Sequence, residues 1–161
     1  MKPRAALLAA ILCGAAAVAL VAADLAFNVE ATLEVRGSDG VWRTASSTET
    51  QRGYPSIAAP ACGEHFRVTI HNGMPWSTSR HVTITASGMT ASGVPDTVTI
   101  LEETWTLGAR ADRTHEFDVP GSVYDASSQP QGGKPTAGVM VSLGADSTQQ
   151  LYATACRGGS A

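Results

Sequence analysis

The residues of this chain best suited to chemistry are its four histidines, His65, His71, His81 and His115. His71 and His81 bracket one loop, Met74 lies inside that loop, and Met89 follows the next strand. Imidazole and thioether donors together suit copper. His71, His81, Met74 and Met89 are therefore one candidate metal set. A blue-copper site would also need a cysteine closely followed by a histidine and a methionine. Cys156 is followed instead by Arg157-Gly158-Gly159-Ser160-Ala161, so that arrangement is absent. The leading expectation is that the histidines face solvent from strands and that no metal or other cofactor is held. Trp76, beside Pro75, offers a second kind of chemistry. An aromatic ring at a loop tip can stack on a sugar ring or anchor a protein partner. Trp76, Met74, His71 and His81 are the candidate binding residues. The leading expectation for Trp76 is nevertheless that it folds back over the end of the domain.

Catalytic patterns are missing. There is no GxSxG elbow and no HExxH. Glu102 and Glu103 are adjacent, and on a strand they point to opposite faces, so they cannot work as an acid/base pair. Gly132-Gly133-Lys134-Pro135-Thr136 has the wrong spacing for a phosphate loop, and Pro135 lacks a needed N–H. The expectation is a protein that is not an enzyme.

The elements that must position these residues are strands. Phe66, Val68 and Ile70 alternate with His65, Arg67, Thr69 and His71, and Val82 and Ile84 alternate with His81, Thr83 and Thr85. That two-residue period marks strands with one buried face, over Glu64–His71 and Arg80–Ala86. The Gly73–Ser79 loop joins them. Upstream, Leu25 to Arg36 alternates with Leu25, Phe27, Val29, Ala31, Leu33 and Val35 on one face. Gly37-Ser38-Asp39-Gly40 then turns the chain into a return strand that begins at Val41. Ala45–Ala61 lacks periodicity and reads as a long surface loop. Ser87–Pro95 reads as a connection. Asp96–Leu101 and Glu102–Leu107 read as extended, and Thr114–Val119 as a strand ended by Pro120-Gly121. Tyr124–Thr136 is a second long loop. Val139–Leu143 and Gln149–Cys156 are the last strands. About eight short strands with turn signals at roughly ten-residue spacing, and no convincing helix after Ala23, predict a β-sandwich or barrel.

Composition bounds the partners. The chain has 161 residues, 43% of them hydrophobic, and a formal net charge of -3. That length suits one domain, residues 24–161, after a targeting segment, residues 1–23. There is no basic footprint for nucleic acid. The only lysines are Lys2 and Lys134, so the body has no polybasic membrane patch. Lys2 and Arg4 precede nineteen uncharged residues, Ala5–Ala23. This is the pattern of an export signal, with Val21-Ala22-Ala23 preparing a cut before Asp24. The other reading is an uncleaved signal-anchor helix, in which case residues 5–23 touch membrane. Both place the body outside the cytoplasm. Cleavage would remove Cys13 and leave Cys62 and Cys156. An even pair in an exported domain reads as one disulfide. The chain-entropy argument gives such a large loop about 4–5 kcal/mol. That link would join an early central strand to the last one, which favours a Greek-key sandwich.

Four stretches also carry a family resemblance. They are FRVTIHNG at Phe66–Gly73, HVTITASG at His81–Gly88, the Leu107-Gly108 turn leading to THEFDVPG at Thr114–Gly121, and the closing strand ending at Cys156. Together they resemble the pattern of prokaryotic immunoglobulin-like extracellular domains, including the cell-adhesion-related group. The chain departs from that pattern in its long loops and its paired cysteines. The resemblance implies an immunoglobulin-like Greek-key β-sandwich of about seven to nine strands. It implies adhesive or structural work on a protein or glycan at the cell surface, and it carries over no catalytic or ligand residue. Two alternatives stand beside it. One is a periplasmic copper-binding protein using the His/Met set. The other is a membrane-anchored subunit of a surface assembly.

Overall fold

The computed structural model describes residues 29–47, 63–125, 135–144 and 149–157. The export segment, Leu25 and Phe27, Cys62, and most of the two long loops lie outside the described residues. Among the described residues there are eight strands: β1 (Val29–Arg36), β2 (Trp42–Ser47), β3 (His65–Asn72), β4 (Thr78–Met89), β5 (Pro95–Leu107), β6 (Asp112–Asp118), β7 (Thr136–Leu143) and β8 (Gln149–Cys156). The described residues contain no α-helix, only a short 3-10 turn at Gly121–Val123. No described helix is long and apolar enough to cross a membrane.

The strands form two four-stranded sheets, ordered β2-β1-β3-β6 and β5-β4-β7-β8, and every neighbouring pair is antiparallel. Alternation decides the inner faces. In the first sheet Val29, Ala31, Leu33 and Val35 of β1 lie beside Phe66, Val68 and Ile70 of β3. In the second, Val82, Ile84 and Ala86 of β4 lie beside Val139, Val141 and Leu143 of β7. These sets join in a single apolar cluster that also takes in Trp105, Phe117 and Leu151. Two antiparallel sheets closed on one core make a β-sandwich-like, all-β fold. Trp105 is in that core, and Trp42 is half-buried on a sheet face.

Several boundaries differ from the expected ones. Ala45, Ser46 and Ser47 belong to β2, not to a loop, and Ala45 and Ser46 are buried. A register shift opposite Leu33 and Glu34 leaves Ala45 unpaired in the ladder. Such a bulge lets small residues pack without the period-2 signal that would announce them. β4 is longer than expected at both ends. Thr78 and Ser79 pair with Leu107 and Thr106, and Gly88 and Met89 with Asp96 and Pro95. These end residues are strand because β5 supplies their hydrogen bonds, not because they bury an apolar face. The loop expected over Gly73–Ser79 therefore shrinks to residues 73–77, and the next connection to residues 90–94. The two extended stretches between Asp96 and Leu107 are one strand. It is interrupted by a bulge at Ile100, where Ile84 pairs with Leu101 and Thr85 with Thr99. The extra residue explains why Val98 and Ile100 share one parity while Trp105 and Leu107 share the other. At Gly88 a Cβ would lie 1.6 Å from the Val123 carbonyl oxygen, so the 3-10 turn packs directly on the β4 backbone.

Candidate functional site

The built feature at the Trp76 end of the sandwich is centred on Asn72. This residue continues the inward series Phe66, Val68, Ile70, and it is fully buried. A polar group there must find partners or cost about 1–3 kcal/mol. Asn72 finds them on two loops. Its Nδ2 donates to the Trp76 carbonyl at 2.8 Å and to the Gly108 carbonyl at 2.7 Å. Its Oδ1 accepts from the Met74 N–H at 3.1 Å. Its own backbone N–H donates to the Ala111 carbonyl at 3.0 Å. The Arg110 N–H closes the circuit on the Met74 carbonyl at 2.9 Å, and Arg110 adopts a left-handed φ of 51° to do so. The β3–β4 and β5–β6 loops are thereby locked to one another.

Trp76 rides on this lock. Half of its surface, 50%, is exposed. Met74 of the same loop is buried at 5% exposed. A large ring held at the tip of a rigid loop is pre-organised for contact, because little further ordering is needed on binding.

The histidines are distributed differently from the candidate sets. His71 lies on the outer face of the first sheet, with Nδ1 2.6 Å from Asp112. His81 lies on the outer face of the second, with Nε2 3.5 Å from Glu102. They share outward parity, as expected, but on sheets that face away from each other with the core between them. Sheets packed face to face stand about 10 Å apart, so the two imidazoles cannot reach one ion. Met74 is buried, and Met89 is 39% exposed beside the β4–β5 turn, at the far end of β4 from Trp76. His71, His81, Met74 and Met89 therefore do not converge, and the copper set is not assembled. Among the described residues no group of three or more His, Cys, Asp or Glu side chains is placed to hold a metal ion. His115 points inward, between Trp105 at 6.1 Å and Phe117 at 6.3 Å. Glu102 and Glu103 diverge, the first toward His81 and the second to the Trp105 Nε1–H at 3.1 Å.

The outer faces carry different chemistry. On the first sheet, Thr32, Thr69 and Thr114 fall opposite one another across three strands. Charged rows flank them: Glu30, His71 and Asp112 on one side, Glu34, Arg67 and Glu116 on the other. Arg67 donates to Glu34 at 2.8 Å and lies 4.4 Å over the Trp42 ring. His65 sits beyond that row, facing Asp118, whose hydrogen bond is the main reason its pKa is raised. The second sheet presents mostly hydroxyls, Thr83, Thr85 and Ser87 against Thr97, Thr99 and Glu102. The sequence pattern gave Asn72 no role of its own. The signal that could have found it is its parity, a polar residue at the fourth place of an apolar alternation.

Cys156 is buried, is not available as a free thiol, and donates its N–H to the Gly63 carbonyl at 3.3 Å. No family model matches this chain, and no curated protein matches it.

Proposed function

We propose that this protein is an exported, non-catalytic binding module that meets a protein or glycan at the cell surface through the Trp76 end of its sandwich. The observation that carries the reading is the half-exposed Trp76 ring on a loop locked by buried Asn72. Aromatic rings presented in this way dominate recognition energetics. A finer fold, the immunoglobulin-like Greek key, is supported by strand order. With the hairpin strand β2 set aside, the sheets read β1-β3-β6 and β5-β4-β7-β8. That is a three-plus-four sandwich in which the chain crosses between sheets at β3–β4, β5–β6 and β6–β7. The Cys62–Cys156 disulfide belongs to the same proposal. Cys156 reaches the backbone of Gly63, the residue next to Cys62. Residues 1–23 act as the export signal, and the module works without a cofactor.

The test has two parts. The protein is expressed with its own N-terminal segment and recovered from outside the cytoplasm. A mass starting at Asp24 and two hydrogens light is the expected result. The recovered protein is then presented to intact cells of the source organism and to immobilised envelope polysaccharide. Binding that falls at least tenfold in Trp76→Ala, with unfolding unchanged, is expected. Retention in the cytoplasm overturns the export reading, and binding indifferent to Trp76→Ala overturns the site. A full-length mass recovered with membranes would shift the reading to an anchored subunit.

A further inference from the structure

We propose that His65 is a proton-operated fastener of edge strand β6: as an imidazolium it ties the C-terminal end of β6 to the middle of its sheet, and as a neutral ring it lets that end loosen. Among the described residues β6 is paired on one side only, to β3. Its outer face carries three acids, Asp112, Glu116 and Asp118, set opposite His71, Arg67 and His65 of β3. Arg67 is the one permanent cation in that set, and Glu34 of β1 engages it through Nε at 2.8 Å and a terminal nitrogen at 2.7 Å. Glu116 and Asp118 are therefore left to His65. Its Nδ1 is 2.6 Å from Asp118 and its Nε2 is 3.3 Å from Glu116. A neutral imidazole has one N–H and can donate to one carboxylate, leaving a lone pair facing the other. Only the protonated ring satisfies both.

The surroundings reinforce this. From β2, the Trp42 ring lies 5.4 Å from the His65 ring, tilted by 40°. An aromatic face favours a cation. Of the other charges on the neighbouring elements, Glu64 pairs with Arg157 at 3.4 Å, and Arg36 of β1 donates to the Gly40 carbonyl, a neutral acceptor. The Asp118 hydrogen bond is the largest influence and raises the His65 pKa; burial opposes it, and the Glu116 hydrogen bond adds a smaller upward push. A raised folded value gives stabilisation that is complete below the ordinary histidine value of about 6.5. It disappears as pH climbs through the higher folded value. The other end of β6 is built differently. His71 presents one nitrogen to one carboxylate, Asp112. A neutral ring with its proton on Nδ1 keeps that bond. The loosening is therefore directional, from the Asp118 end.

Amide hydrogen exchange on the intact protein at pH 6.0 and 8.5, normalised to intrinsic exchange rates, tests this. Protection from Glu116 to Val119 is expected to fall about three- to fivefold at the higher pH, the scale of an exposed ion pair. Protection near Asp112 should stay level. NMR titration should place the His65 midpoint above about 6.5, and Asp118→Asn should lower it. His65→Gln should remove the pH dependence, and His65→Lys, charged at both pH values, should keep the strand end protected at pH 8.5. A His65 midpoint at or below the ordinary value, or a pH dependence that survives His65→Gln, overturns the proposal.

Discussion

Asn72 shows how much one polar side chain can hold. It binds three backbone groups on two loops through its amide. Asn72→Ala would leave the Met74 N–H and the Trp76 and Gly108 carbonyls without that partner. We expect it to lower the unfolding free energy by about 2–4 kcal/mol, read by urea unfolding. Trp76 fluorescence anisotropy should fall at the same time, because the loop is no longer locked. Trp76→Ala, by contrast, removes a half-exposed ring and should change stability by only about 0.5 kcal/mol. The two variants separate positioning from contact. Glycines divide in a similar way. A Cβ at Gly88 meets the Val123 carbonyl at 1.6 Å, whereas at Gly138 the nearest atom is the Ser87 hydroxyl at 3.3 Å. Gly88→Ala should cost about 2–3 kcal/mol by forcing backbone apart. Gly138→Ala should stay within about 0.5 kcal/mol. Thermal unfolding of the pair tests both.

At the scale of elements, the inner faces were written in the alternation and the strand ends were not. β1 and β3 contribute apolar residues at every second place, and each of those described is buried. The ends of β4 carry Thr78, Ser79, Gly88 and Met89, whose strand state depends on partners far along the chain. No local pattern reports such pairing. The β5 bulge at Ile100 is of the same kind, since one extra residue reverses which parity faces inward. The β3–β6 pair is anchored in the core by Phe66 and Phe117, whose rings stack at 5.8 Å. Phe66→Ala empties a fully buried site at the junction of both sheets. A loss of about 3–5 kcal/mol is expected. A loss under about 1 kcal/mol would mean that the core there does not depend on the stack.

The whole molecule is a sandwich whose two outer faces differ in kind. One is a lattice of acids, histidines and an arginine; the other is mostly hydroxyls, with the His81–Glu102 pair among them. A domain of this shape has free strand edges, and β6 is guarded by charge, a recognised protection against edge-to-edge association. The proposed Cys62–Cys156 bond would act at this scale. Reduction, or Cys156→Ser, should lower stability by about 2–4 kcal/mol through the entropy restored to the unfolded chain. Calorimetry with and without reductant measures it. An unchanged melting temperature would exclude a closed loop between these two cysteines.

Taken alone, the sequence determined the all-β class, the approximate number of strands and the inward residues of β1, β3 and the middle of β4. The physical reason is that a strand's two faces are set by a period of two that any stretch of chain carries within itself. Only the tertiary structure decided which strands are neighbours and which faces end up back to back. His71 and His81 have the same parity and flank the same short loop, yet β3 and β4 belong to different sheets. The chain crosses the core between them and sends the two rings to opposite sides. Asn72 joined its own loop to a second one, and His65 became a meeting point of two carboxylates, through contacts with residues more than thirty positions away, Gly108 and Asp118 among them. Face is local information. Neighbourhood is the outcome of burying one shared core.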